Sequence, residues 1–338
     1  MKEVAQNQEK VSDIHRNAII IDCLFGMSYP PKDASPFEEM REAGLTAAHL
    51  CIAWAEDIDL YEVMRRINSW YQGFEKYGDI IMLVTTSKDI ETAKKQNKVG
   101  LAMGFQTTKP IEGNVEFLSA FHKLGIRVIQ LTYQRRNLIG DGCGERTDSG
   151  LSKFGIEVIK RMNKLGILID ASHCGYKTTM EAIEISEKPI AFTHANPRAL
   201  CDIVRNKTDD QIKALAGKGG VISLNAYSPF FAKGAESTLD DFLDIIDYAV
   251  DIAGIEHVGL GLDYNFSESK DDFDEWAIKN PEISKGFTFE TKHPKGMKNI
   301  RFLPELTKGL VSRGYSEEEV NGLLGGNNLR LFTEVWAA

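Results

Sequence analysis

Apolar and polar positions along the chain fall into two alternating regimes. Short runs rich in Val, Ile and Ala are separated by longer stretches in which apolar residues return every third or fourth position. The first kind reads as strands buried on both faces, the second as amphipathic helices. Nine runs qualify as strands: Ala18–Asp22, Thr46–Ala53, Ile80–Thr85, Gly100–Phe105, Val128–Thr132, Ile167–Ala171, Ile190–Phe192, Val221–Asn225 and Val258–Leu262. The intervening helices include a polar lead-in ending at His15, then Ile58–Lys76, Val115–Leu124, Phe154–Leu165, Thr178–Ser186 and a C-terminal helix from Glu317 to Leu324. The alternation runs through the whole chain with no low-complexity linker and no repeat of fixed period. It predicts an α/β protein, one (β/α)8 TIM-like barrel spanning residues 1–338. A closed barrel needs eight strands, so one candidate is peripheral; Ile80–Thr85, which follows a long helix and precedes a short one, is assigned that place. The segment 264–299, rich in charge and aromatics, begins directly after the last strand. It is expected to lie over the C-terminal mouth as a lid or binding loop.

Composition changes this picture little. The 338 residues are 43% hydrophobic, 26% charged and 9% aromatic, as in ordinary folded proteins. A net charge of −9 argues against nucleic acid or an anionic membrane surface as partner. Five cysteines, Cys23, Cys51, Cys143, Cys174 and Cys201, are odd in number and lack CxxC spacing, which suits reduced cytosolic thiols. The N-terminus has no apolar secretory core, and no run approaches the length of a membrane span. A cytoplasmic location is expected.

Candidate chemistry concentrates between Ile167 and Arg205. Two short strands there each end in a small or hydroxyl residue followed by a histidine, His173 and His194, with one helix between them. In such a βαβ unit the strands are parallel neighbours, so both imidazoles reach the crevice where these folds place their chemistry. Asp263 ends the last strand in HVGLGLD and faces the same mouth. Two neutral imidazoles and a carboxylate suffice for a divalent transition metal with open positions, although an Asp at a strand end is also an ordinary loop cap. Arg205 offers a planar fork matching a substrate carboxylate; a salt bridge to Asp202, Asp209 or Asp210 is the alternative. Arg135 and Arg136 in YQRRN are either anion-binding residues or ion-paired ones. His49, His122, His257 and His293 read as structural. The glycines of GDGCGE form no phosphate-binding pattern.

Several stretches are similar to one known family. LTYQRRNLIGDGCGERTDSGLSKFGIEVIKRMNKLGILIDASHCG, FTHANPRAL, RNKTDDQIKALAGKGGVISLNAY, HVGLGLDYN and GGNNLRLF resemble the renal or membrane dipeptidases, peptidase family M19 of the amidohydrolase superfamily. The resemblance extends from about Ile19 to Phe332. It implies a distorted (β/α)8 barrel of metallo-dependent hydrolase type, with two zinc ions at its mouth, and hydrolysis of dipeptides. Carried over position by position, His173 and His194 are metal ligands, Asp263 the final Asp and Arg205 the arginine that binds the substrate's carboxylate. The family's HxD pair, in a stretch like DGHNDLP, falls on Leu24 and Gly26. The bridging Glu falls on Gln106, and the substrate-contacting histidine of its LTH motif on Tyr133. Losing two carboxylates removes a charge comparable to one divalent ion. The resulting expectation is an enzyme with at most one divalent metal, zinc by the family's example, or none. His173, His194, Asp263 and Gln106 surround it, Asp263 is the catalytic base and acid, and Arg205, Tyr133, Arg135, Arg136 and Tyr227 bind substrate. The expected partner is a small carboxylated molecule, in a homodimer by family analogy. The alternatives are a mononuclear or metal-free reaction on the same fold, or a binding protein that has lost its chemistry.

Overall fold

The computed structural model describes residues 2–54, 58–266, 269–279, 281 and 286–336. Its ten strands are β1 (Ile21–Gly26), β2 (Ala47–Ala53), β3 (Ile81–Leu83), β4 (Val99–Phe105), β5 (Val128–Gln130), β6 (Leu168–Asp170), β7 (Ala191–Phe192), β8 (Val221–Leu224), β9 (Val258–Leu260) and β10 (Tyr264–Asn265). Neighbours run in the order β1, β2, β4, β5, β6, β7, β8, β9, and the pair Asp22–Leu260 joins β9 back to β1. Eight parallel strands thus close a barrel, with helices packed around it.

All nine predicted runs form strands, and the peripheral one is the one expected. Strand β3 pairs with Val99–Leu101 of β4 while β5 pairs with Gly104–Phe105. The two share one edge of β4, so β3 adds no ninth stave. β1 starts three residues later than the predicted Ala18, which carries Leu24 and Gly26 into the strand. The short strand β10, unforeseen, pairs in parallel with Phe25 and Gly26 of β1.

The helices start and stop where their caps dictate. Asp59 accepts the Glu62 amide at the head of the helix Leu60–Lys76, and Ser152 accepts from Gly155 at the head of Lys153–Leu165. That second helix ends at Gly166, φ +72°, in the left-handed conformation that favours glycine. The C-terminal helix Asn327–Trp336 plugs the bottom of the barrel. Leu331, Phe332, Val335 and Trp336 pack there against Ile21, Ala47, Val128, Leu168 and Val221. At roughly 2 kcal/mol for each large side chain so buried, this plug is a substantial share of the barrel's stability. With the bottom sealed, the C-terminal ends of the strands are left as the open mouth.

Candidate active site

The two histidines meet at that mouth. Ser172 and His173 follow β6, and Thr193 and His194 follow β7, so the pairing of Asp170 with Ala191 brings the strand ends side by side. His173 Nε2 and His194 Nε2 lie 2.9 Å apart, and both rings are buried. Burial, helped by the nearby Arg205 and Lys207 cations, pushes both imidazoles well below their ordinary pKa. The neutral imidazole is thereby favoured over the charged form in both.

A hydrogen-bonded chain behind His194 sets its tautomer. Asp170 Oδ2 accepts the Thr193 hydroxyl at 2.7 Å, and the Thr193 oxygen lies 2.8 Å from His194 Nδ1. Because the hydroxyl proton is spent on the carboxylate, the oxygen must accept, which places a proton on Nδ1 and leaves a lone pair on Nε2. Gln106, just past β4, donates its Nε2 to that lone pair at 2.9 Å. Its oxygen accepts from the Cys51 thiol at 3.3 Å. The His173 Nε2 competes for the same lone pair, and His173 Nδ1 is buried without a partner among the described residues.

A cavity of about 100 Å³ opens directly above. Its lining includes Gln106, Tyr133, His173, Tyr227 and Asp263 of the predicted residues. It also includes Trp54, Gln134, Trp276, Lys292 and His293, which the sequence had not singled out for this role. Tyr133 stacks on His173 with ring centroids 4.5 Å apart. Burial raises the Tyr133 phenol well above its ordinary range, keeping it protonated. Asp263 sits at φ +63°, a left-handed conformation uncommon outside glycine, and Asn225 Nδ2 donates to its Oδ2 at 2.9 Å. Close approach of the backbone explains the preceding glycine, since a Cβ on Gly261 would lie 1.8 Å from the Thr193 carbonyl oxygen.

The arginines are placed differently from expectation. Arg205 is buried, and its guanidinium donates to the Ser172 carbonyl at 2.8 Å and the His194 carbonyl at 2.6 Å. It ties together the two strand ends that carry the histidines and does not line the cavity. Lys207 works beside it, donating to the carbonyls of Ala171 at 2.8 Å and Cys174 at 3.1 Å; burial brings its amine down to about 8. Arg136 is ion-paired with Asp141 and lines a separate cavity with Thr108, Leu138 and Phe154. Arg135 is exposed, donating to the Gly144 carbonyl at 3.3 Å. Neither reaches the cavity, because the turn after Tyr133 carries them outward. His293 was read as structural and instead lines the cavity; its only sequence signal was its place in the long segment after the last strand.

The donors that the site brings together are two imidazoles and a neutral amide. Leu24 and Gly26 offer no ligand atoms, and a Cβ on Gly26 would already lie 3.4 Å from the Asn265 side chain. Among the described residues no three His, Cys, Asp or Glu side chains converge as a metal cluster. What remains is a pair of imidazoles with adjacent Nε2 atoms, one oriented from behind by Thr193 and Asp170 as ligating histidines commonly are, and the neutral amide of Gln106.

The fold is a (β/α)8 barrel of amidohydrolase type, with the candidate site at the C-terminal ends of the strands. The model of the membrane dipeptidase family, peptidase family M19, matches residues 26–275 and 282–338, and the chain belongs to this family. It is 31% identical over 265 residues, 76% of its length and 58% of the other's, to an uncharacterized dipeptidase of Schizosaccharomyces pombe. The chain spans little more than half the length of the curated relatives it matches. Among solved structures, an amidohydrolase from Pseudomonas aeruginosa superposes with TM-score 0.89 at 32% identity, covering 97% of this chain and 99% of that one. A metallopeptidase from Rhodobacter sphaeroides, liganded with a phosphinate mimic of the dipeptide L-Ala-D-Ala, superposes with TM-score 0.80 at 20% identity, covering 95% and 100%. No helix among the described residues is long and apolar enough to cross a membrane.

Proposed function

We propose that the protein hydrolyses a small amide or dipeptide-like substrate with at most one divalent metal, zinc by the family's example. The observation that carries this reading is the pair of neutral imidazoles, 2.9 Å apart at adjacent strand ends, beneath a cavity that also holds a carboxylate. His173 and His194 would hold the ion through their Nε2 atoms, with the Gln106 amide beside them. The chemistry such an ion supplies is Lewis acidity, which brings a bound water near neutrality. The other roles fall to the chain's own side chains. Asp263, oriented by Asn225, takes the proton of the attacking water at its carboxylate and returns it to the leaving nitrogen. Tyr133 holds His173 in place by stacking, and the rings of Trp54, Tyr227 and Trp276 exclude bulk water.

Arg205 supports the substrate site from below by fixing the strand ends. Among the described residues Lys292 is a cation that lines the cavity itself, which makes it a better placed partner for a substrate carboxylate than Arg205. Metal analysis of protein purified without chelators tests the reading, together with a panel of L,L and L,D dipeptides assayed with added zinc, manganese or iron. At most one ion per chain is expected, lost in His194→Ala along with hydrolysis. Two tightly held ions per chain, or undiminished hydrolysis in His194→Ala, would overturn it.

A further inference from the structure

The segment after β9 gives the mouth a second cavity, of about 360 Å³, beside the first. Tyr264, Phe266 and Phe289 supply its apolar lining, and Glu39, Glu290 and Lys298 its charges. Asn265, Lys292 and His293 line both cavities and form the wall between them.

His293 is the unusual member of that wall. It is 6% exposed, and its Nδ1 lies 2.9 Å from the Ala226 carbonyl oxygen. A carbonyl can only accept, so the proton is on Nδ1 and Nε2 carries a lone pair. The ring packs on Tyr264 with centroids 4.4 Å apart, which fixes its plane. Burial brings its pKa down to about 3, so protonation does not satisfy that nitrogen. Among the described residues nothing donates to Nε2. The ring lines both cavities and Nε2 is open to the cleft, so a ligand there can bring the donor that the described residues do not.

We infer that His293 is a specificity-determining residue: it accepts an N–H from a substrate that lies across both cavities, with the reacting bond over His173 and a distal group in the second chamber. The inference rests on the reaction proposed above, because a small amide is a substrate whose donors are N–H groups. It differs from that reading in placing recognition on the segment after β9, away from the histidine pair and Asp263.

Calorimetric binding in two matched arms tests it. The first compares the phosphinate mimic of L-Ala-D-Ala, which has an ammonium group, with its desamino analogue. The second compares N-propanoyl-D-alanine, which has an amide N–H, with the ester in which oxygen replaces that N–H. Wild-type protein is expected to prefer the N–H-bearing member about tenfold in at least one arm, the worth of one good hydrogen bond. The arm showing the preference identifies the donor. His293→Phe should abolish the preference, while His293→Gln, which keeps an acceptor oxygen, should retain part of it. Equal binding within both arms of the wild type, a preference that survives in His293→Phe, or no binding of any of the four compounds would overturn the inference. A wild type that shows the preference without hydrolysing any dipeptide supports the role of His293 and overturns the proposed reaction, so the two failures are distinguishable.

Discussion

His194 Nδ1 and Asp170 Oδ2 stand 4.0 Å apart and are joined through the Thr193 hydroxyl. The carboxylate therefore orients the imidazole without touching it, and Nε2 faces both Gln106 and His173 at 2.9 Å. Thr193→Val keeps the shape of the buried side chain and removes the link. Metal affinity, measured by competition with a chromophoric chelator, should fall about 10- to 100-fold. Unchanged affinity would mean that packing alone orients the ring.

Gln106 stands where a carboxylate would supply charge to the site. Gln106→Glu is nearly isosteric and puts an anion beside His194 Nε2, at the cost of the donor that the amide now provides. Zinc affinity should rise at least tenfold, and the apo protein should gain little stability, because the new carboxylate is desolvated until an ion arrives. A rise in metal content to two ions per chain is not expected, since Leu24 and Gly26 remain.

Asp263→Asn separates charge from conformation. Asn tolerates the left-handed backbone at this position as readily as Asp does, so the thermal midpoint should move by no more than a few degrees. Hydrolysis should fall about 10²- to 10⁴-fold, the usual worth of a positioned acid or base. A variant with full activity would remove Asp263 from the mechanism.

Arg205→Lys tests the tie between strand ends. The lysine cannot span both the Ser172 and His194 carbonyls as the fork does, and the carbonyl left bare should cost about 1–3 kcal/mol in urea unfolding. A rise in KM with stability unchanged would instead place the guanidinium on substrate.

Asp22 gives the pH dependence. It is buried at the seam of β1 and β9, where its Oδ1 accepts from the Leu24 and Leu262 amides at 3.1 and 2.8 Å and its Oδ2 has no partner among the described residues. Burial raises its pKa to about 7, against the two backbone amides that favour the anion. A folded pKa above the unfolded one means that the native state binds the extra proton. The stabilisation is complete below about pH 4 and is lost as pH rises through about 7. Denaturant unfolding at pH 5 and pH 8 should show the wild type losing stability relative to Asp22→Asn. The opposite slope would contradict the assignment.

The barrel was legible because its strands are buried on both faces and its helices on one, and these two environments write different periods into the sequence. His173 and His194 were legible for a related reason: a βαβ unit has one handedness and one strand order, so matching positions at two strand ends become neighbours. Ile80–Thr85 was legible as peripheral from its flanks, a long helix before it and a short one after, and its strand shares an edge of β4 with β5. Arg205 defeated that reasoning, because local sequence shows that a guanidinium is available but not that two backbone carbonyls lie within its reach. Arg135 and Arg136 failed on the direction of one turn. His293, Lys292 and Trp276 belong to a segment without periodicity, and only its path across the mouth brings them to the cavity. The sequence by itself determined the barrel and the meeting of His173 with His194, which follow from residue type and chain-local geometry; that Leu24, Gly26 and Gln106 stand where the family has ligands is implied by the resemblance alone. Which cation lines the cavity, where the His293 ring stands and how His194 is held were decided by the tertiary structure, because each depends on contacts between residues far apart along the chain.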